Sequence, residues 1–390
     1  MIELNDAENI IMNNAKTFEI EEVKSEDSLF RVLAQDIISN INMPPFDKSA
    51  MDGFAINSKD NSEKFKIIET IIAGKAPTKK INKGECSRIM TGAMMPQGAD
   101  RVVKVELTEV KDGFMYIIGE EPNFNVCILG EDVIKGEIIL NKGKYIRPSE
   151  VGIIASLGYD KVKVYKKPVL GLITTGDEIV EPGNPLKKGQ IYNSNAYSIS
   201  SQVRANFFKV IYNGIVKDNP EDIEKKIKDT IKKSDVLLIS GGVSMGDYDY
   251  VPKIVKKLGF KVGFHRVAIK PGRPTLFAFK DNKYIFGMPG NPVSTFVVFE
   301  RLVKPFLFKL MGNDYKPVLL KGYLKKDYKR KKVRRTFYVP AIIDNNNEVD
   351  LLEYHGSAQI HSLGKANCLL EIPKGVSEIK SGETVYVRQI

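Results

Sequence analysis

The sequence is poor in the residues on which many catalytic and metal-binding signatures are built. It has three cysteines in 390 residues, Cys86, Cys127 and Cys368, and three histidines. The cysteines form no CxxC and no metal-ligand spacing, which argues against a disulfide-stapled scaffold and fits a reducing cytosol. His265 precedes "RVAIK", while His355 and His361 lie in the tail. None has zinc-site spacing, so a zinc centre and a histidine-based triad are not expected. There is no GxxxxGK(S/T) and no GxGxxG, which disfavours a Walker NTPase and a Rossmann dehydrogenase. No apolar run reaches membrane-spanning length, and the opening "MIELNDAENIIMNN" is too acidic and polar for a signal peptide. A soluble, cytoplasmic protein is the expectation.

What is present is ample core material: 43% hydrophobic and 27% charged residues. The length exceeds one ordinary domain, and roughly two to four are expected. The formal net charge is +11, which suggests anionic partners. The densest basic run, "KKDYKRKKVRR" at 325–335, contains the single aromatic Tyr328 and no recognised nucleic-acid reader motif. A solvated lysine-rich surface weighs more than nucleic-acid binding there, and a small polyanionic substrate suits the charge as well.

Texture divides the chain. "LNDAENIIMNNA" and "SLFRVLAQDIISN" have apolar residues at helical spacing, and both are predicted as helices. Residues near 65–145 read as β-rich, with "FKIIETI", "RVVKVELTEV" and "FMYIIG" as short strands and "IILNKGKYI" as a hairpin. "RPSEVGIIASLG" reads as a helix opened by Pro148 and closed at Gly158. From Pro168 strands and helices alternate, which predicts a doubly wound, mostly parallel sheet. "PVSTFVVFERLVKPFLFKL" reads as one long apolar helix, and the tail from about 314 returns to β texture.

In such a sheet ligands bind outside the carboxyl ends of the strands. The segments following the strands are "TGDE", "KD", "SGGVSMGDYD", "KPGRP" and "PGNP". Each has a plain alternative. Asp218 could cap the next helix, Asn291 and Pro292 could be a cap and first-turn proline, and Gly241 and Gly242 could serve a tight turn. Asp177 and Glu178 are harder to dismiss, because adjacent carboxylates repel unless a cation offsets them. Asp247 and Asp249 add charge, a hard cation such as Mg2+ with phosphate would neutralise the mouth, and Lys270 and Arg273 would hold anionic oxygens.

Seven stretches, "PPFDKSAMDGFA", "RIMTGAMMPQGADRVVKVE", "GEDVIKGE", "TTGDEI", "SGGVSMGDYDYV", "AIKPGRPTLFA" and "GMPGNPVSTF", occur in the order and spacing of one family. The chain resembles the molybdopterin molybdenumtransferases, the MoeA-type enzymes related to the catalytic domain of gephyrin. The resemblance implies insertion of molybdenum from molybdate into the dithiolene of adenylylated molybdopterin, with release of AMP and help from Mg2+. It implies a homodimer of multidomain α/β chains: an elongated linker domain at 1–44 and 140–167, a small β-rich domain at 45–139, a doubly wound molybdopterin-binding domain at 168–313 and a C-terminal β-barrel at 314–390. It places catalytic roles on Asp52, Thr91, Asp132, Glu178, Asp218 and Asp249, with Glu178, Asp218 and Asp249 holding the metal. Substrate binding falls on Gly241, Gly242, Ser244, Arg266, Lys270, Pro289, Pro292 and Ser357. The family's site is shared across the two-fold interface. One departure stands out: the tail usually carries GR-x-x-F-x-R, and here "VRRTFYV" puts Val339 where the second arginine belongs, leaving Arg334 or Arg335 to substitute.

Two further functions compete. The molybdopterin adenylyltransferase of the same pathway uses the same doubly wound core but lacks the linker and the "SAMDG" region that this chain has. A non-catalytic gephyrin-like scaffold would not need Asp52, Glu178, Asp218 and Asp249 intact. The adenylyltransferase is also a candidate partner.

Overall fold

A computed structural model of the chain describes residues 1–243, 250–353 and 356–390. Its centre is a six-stranded sheet in the order Lys209–Val216, Val169–Thr175, Val236–Ser240, Lys283–Met288, Leu276–Lys280, Lys261–His265. The first three junctions are parallel and the last two antiparallel. The run "VLLIS" is buried at every position, as expected of a strand covered on both faces. Helices Ser194–Ala205 and Pro292–Val298 pack together on one side, and Pro220–Ile231 packs against Val251–Lys257. The strand order reverses between Val169–Thr175 and Val236–Ser240, and a ligand crevice is expected at that switch point.

The N-terminal helix Leu4–Asn14 buries Leu4, Ala7 and Ile11, which share one face at three- and four-residue spacing. They join the aromatic core of the central sheet and the barrel's Tyr338 and Leu369, so one apolar cluster ties three parts of the chain. Another sheet runs Arg101–Lys104, Gly53–Ile56, Glu85–Ile89, Phe65–Ile71, Phe114–Ile117, Thr108–Lys111. Near the C-terminus, Thr336–Ile343, Glu348–Leu351, Leu319–Leu324, Thr384–Gln389 and Cys368–Ile372 close on themselves through the pairing of the first with the last. The two-residue strand Ile269–Lys270 hangs on this barrel, parallel to Thr336–Phe337. The molecule is thus a multidomain α/β protein with a doubly wound sheet, a β-rich unit and a closed barrel. Among the described residues no helix is long and apolar enough to cross a membrane.

Three expectations need correction. "SLFRVLAQDIISN" is not a helix: after a short 3-10 turn at Ser25–Ser28 the chain is extended and bridges Val32 to Tyr145 and Leu33 to Val164. Val32 and Leu33 enter different cores, which only an extended backbone allows for adjacent residues. "IILNKGKYI" does not fold on itself; Ile138–Leu140 pairs with Ile37–Ile38. The long apolar helix is interrupted, with a π-helical turn at Phe299–Val303 between Pro292–Val298 and Lys304–Leu310.

Candidate active site

Gly241 and Gly242 follow the buried strand Val236–Ser240 with φ of +99° and +65°, in the left-handed region that favours glycine. A Cβ on Gly241 would stand 2.5 Å from the Thr175 carbonyl oxygen, and one on Gly242 2.9 Å from Thr175 Oγ1. The loop is therefore pressed onto the end of the neighbouring strand, a demand beyond that of a simple turn. At the same edge, Glu178 follows Val169–Thr175 and Asp218 follows Lys209–Val216, and Thr175 and Val216 are paired in register. Both carboxylates line a cavity of about 330 Å³ with Gly241, Gly242, Ser240, Pro289 and Pro292. Asp177 ties two of these loops by accepting from the Asp218 amide at 3.3 Å. Asp218 is not the helix cap. Asn219 is, its Oδ1 accepting from the amides of Glu221 at 2.9 Å and Asp222 at 3.1 Å.

A second cavity of about 820 Å³ adjoins the first and shares Pro274, Pro289, Gly290 and Asn291 with it. Its polar lining is cationic: Lys270 and Arg273 from the central domain, Lys329, Arg330 and Arg335 from the barrel. Arg330 is committed to scaffolding. Its guanidinium donates to the carbonyls of Val376 at 2.7 Å, Arg335 at 3.1 Å and Pro373 at 2.5 Å. Arg335 Nη1 lies 3.4 Å from the Ile269 carbonyl. Partial burial and then the charges of Arg335, Arg330 and Lys332 push the Lys270 ammonium below the usual lysine value. Asn291 occupies the N-cap position of helix Pro292–Val298 but its side chain makes no cap bond; it donates through Nδ2 to Ser357 Oγ at 2.6 Å, and the Val293 amide donates to the Ser357 carbonyl at 3.0 Å. The tail is thereby pinned on the start of helix Pro292–Val298, with Ser357 in the wall of the basic cavity.

Of the other residues singled out in the sequence, Ser244, Asp247, Asp249 and His355 lie outside the described residues. Among the described residues no group of three or more His, Cys, Asp or Glu side chains could hold a metal ion; Glu178 and Asp218 share a cavity, and Asp249 falls beyond that inventory. Asp52 Oδ1 accepts from Thr91 N at 2.6 Å and Thr91 Oγ1 at 2.8 Å, and these bonds hold its carboxyl below the usual range. Asp52, Thr91, Asp132 and Arg266 line neither cavity. Val339 points into the barrel core at 4% exposure, while Arg335 stands in the basic cavity and Arg334 does not. Sequence reasoning missed Thr175, Ser294 and the segment Tyr192–Asn195, all of which line the cavities. Asn195 joins the ends of strands Val236–Ser240 and Lys283–Met288, its Nδ2 donating to Ser240 Oγ at 2.8 Å and the Gly290 carbonyl at 2.7 Å. The polar cluster "YNSNAY" at a helix start was the available signal.

Comparison with known proteins fits this architecture. Residues 171–309 match the family described as "Probable molybdopterin binding domain", which defines the class of the central domain. Residues 2–158 match "MoeA N-terminal region (domain I and II)" and 321–390 match "MoeA C-terminal region (domain IV)". The chain is 36% identical over 391 residues to a molybdopterin molybdenumtransferase of Staphylococcus aureus, covering 97% of this chain and 93% of the relative. It is 36% identical over 388 residues to that of Bacillus subtilis, covering 95% and 90%. A crystal structure described as a molybdopterin biosynthesis MoeA protein from Pyrococcus horikoshii superposes with a TM-score of 0.86 at 29% identity over the whole of both chains. The chain belongs to the MoeA family of molybdopterin molybdenumtransferases.

Proposed function

We propose that this chain is the molybdenumtransferase of molybdenum cofactor biosynthesis, taking adenylylated molybdopterin and molybdate and releasing AMP as the molybdenum enters the dithiolene. The observation that carries the reading is the pair of adjoining cavities, one acidic and glycine-lined, the other cationic. A pterin nucleotide along the first would meet the backbone of Gly241 and Gly242 without side chains in the way; the Gly241 amide is held by the Met288 carbonyl at 3.1 Å, which leaves the Gly242 amide as the donor. Lys270, Arg273 and Arg335 offer donors to a tetrahedral oxyanion in the second, with Ser357 and Asn291 beside them. Arg335 takes the place of the arginine that Val339 lacks.

Glu178 and Asp218 fit a hard divalent cation such as Mg2+: two carboxylates from the ends of adjacent parallel strands line one cavity. Such an ion supplies charge neutralisation at the phosphoanhydride. The chain's own part is to hold both carboxylates at that mouth, to align the nucleotide along the glycine loop and to present the oxyanion from the cationic side. Because Asp52, Thr91 and Asp132 line neither cavity of their own chain, we assign them to the site of a second copy in a homodimer.

The test is single-turnover AMP release from adenylylated molybdopterin and molybdate. Glu178→Gln is expected to slow release by ~10²-fold or more while leaving the fold unchanged. Release at the wild-type rate would remove Glu178 from the reaction, and no AMP from the wild-type protein would overturn the reading as a whole.

A further inference from the structure

The basic cavity has two walls, and one largely buried side chain, 14% exposed, is rooted in both. Asn291 and Ser294 line it from the start of helix Pro292–Val298. That helix runs straight into the π-helical turn Phe299–Val303, and π-turns are often found at functional positions. Two neighbouring charged residues of the turn point inward. Glu300 accepts from Gln202 Nε2 and from Lys304 Nζ, each at 3.1 Å. Arg301 reaches out of the helix in two directions. Its Nη2 lies 2.6 Å from the Glu8 carboxylate on the N-terminal helix, and its Nε donates to Tyr338 Oη at 2.5 Å, with the guanidinium 5.8 Å from the tyrosine ring centroid. Tyr338 is fully buried in barrel strand Thr336–Ile343. Its neighbour Phe337 and, three residues before it, Arg335 form the opposite wall of the cavity, with the Lys270 ammonium 4.3 Å from the Phe337 ring centroid.

The main-chain link between these walls is short: Ile269–Lys270 pairs with only Thr336 and Phe337. A buried cation is a costly way to fill space, since an apolar side chain of similar volume often serves stability as well. The rigid fork of an arginine does what an apolar residue cannot: it fixes two partners at set directions from one point. We infer that Arg301 is a positioning residue for the basic cavity, holding the barrel wall of Phe337 and Arg335 at a set span from the helix wall of Asn291 and Ser294. This rests on the reading of that cavity as the oxyanion site. Donors converging on one small anion must stand at matched distances, and a displacement of about 1 Å can cost as much as ~10²-fold. Glu8 completes the device by neutralising the guanidinium from the N-terminal helix.

Molybdate and AMP binding to the full-length protein, measured by calorimetry for Tyr338→Phe, Arg301→Lys and Lys270→Ala, tests this. Tyr338→Phe removes one hydroxyl from an otherwise unchanged core, so it decides the matter even if changes at Arg301 impair folding. The expected result is a molybdate affinity weakened ~5–30-fold in Tyr338→Phe and Arg301→Lys and an AMP affinity within about twofold of wild type. A structural role alone would instead leave both affinities of the folded protein in place, which would overturn the inference. If Lys270→Ala loses molybdate and Tyr338→Phe does not, the positioning role fails while the oxyanion site stands. If Lys270→Ala also binds normally, the oxyanion site fails and the inference goes with it.

Discussion

The surroundings of Lys270 bias its charge state. Its ammonium lies over the Phe337 ring, half surrounded by cations, and its pKa is pushed down first by burial and then by Arg335, Arg330 and Lys332. A lysine in that state gives up its proton more readily than a solvated one, and a bound oxyanion restores the charged form. Molybdate binding is therefore expected to take up protons as the pH nears the depressed pKa of the free site, and to weaken as the pH rises through it. Calorimetry in buffers of different ionisation enthalpy reads the uptake directly. Lys270→Ala is expected to abolish both the uptake and the slope; a wild-type binding curve flat into the alkaline range would show that Lys270 does not face the anion. The neighbouring arginines cannot produce this signal, because they remain protonated throughout.

Helix Pro148–Ser156 carries an instructive device at its start. Glu150 is nearly buried, yet its carboxylate receives the Arg147 guanidinium at 2.7 Å, the Arg147 amide at 2.9 Å and the Ser149 hydroxyl at 3.0 Å. The Arg147 side chain first, and the backbone and serine donors with it, hold its carboxyl down to about 2. A depressed carboxyl contributes stability that is fully present above the ordinary glutamate range and is lost as the pH falls towards the folded value. Glu150→Gln is thus expected to cost ~1–2 kcal/mol near neutrality, allowing for the solvent exposure of Arg147. The difference from wild type should shrink between about pH 4 and pH 2, as read by denaturant titration at each pH. A difference independent of pH would assign the loss to packing. The capping pattern of this helix was visible in the sequence, with Pro148 at its first turn. The stretch 28–40 was misleading by the same criteria: its apolar spacing suits a helix, but pairing with residues over a hundred positions away overrides it.

At the scale of the whole molecule, the candidate site divides between two regions. Glu178, Asp218 and the glycine loop share a cavity, whereas Asp52 and Thr91 are bonded to each other in the β-rich unit away from it. On the homodimer reading each cavity receives these residues from the partner copy. An Asp52→Asn chain mixed with a Glu178→Gln chain should then regain up to one good site in each heterodimer, where either homodimer alone is slow. AMP release by purified heterodimers checks it. No recovery in verified heterodimers would place every catalytic group within one chain.

Local chemistry was legible without coordinates wherever a strand ended in an unusual loop. "TGDE", "SGG" and "PGNP" were located at one sheet edge from alternation alone, because a parallel sheet sends every strand's carboxyl end to the same side; "KPGRP" instead follows Ile269–Lys270, a strand of the barrel and not, as expected, of the doubly wound sheet. The amphipathic helix Leu4–Asn14 and the barrel strand Thr384–Gln389 were legible for a similar reason, since their period of burial is written in neighbouring residues. Other features depend on contacts between residues far apart in the chain, which no local period encodes. These are the bond from the Asn291 side chain to Ser357, the turning of Val339 into the barrel while Arg335 enters the cavity, and the reach of Arg301 to Glu8 and Tyr338. Sequence alone determined which loops carry the chemistry; the closure of the barrel against the doubly wound sheet decided which cations face one another across the cavity, because that juxtaposition joins Lys270 and Arg273 of one domain to Lys329 and Arg335 of another.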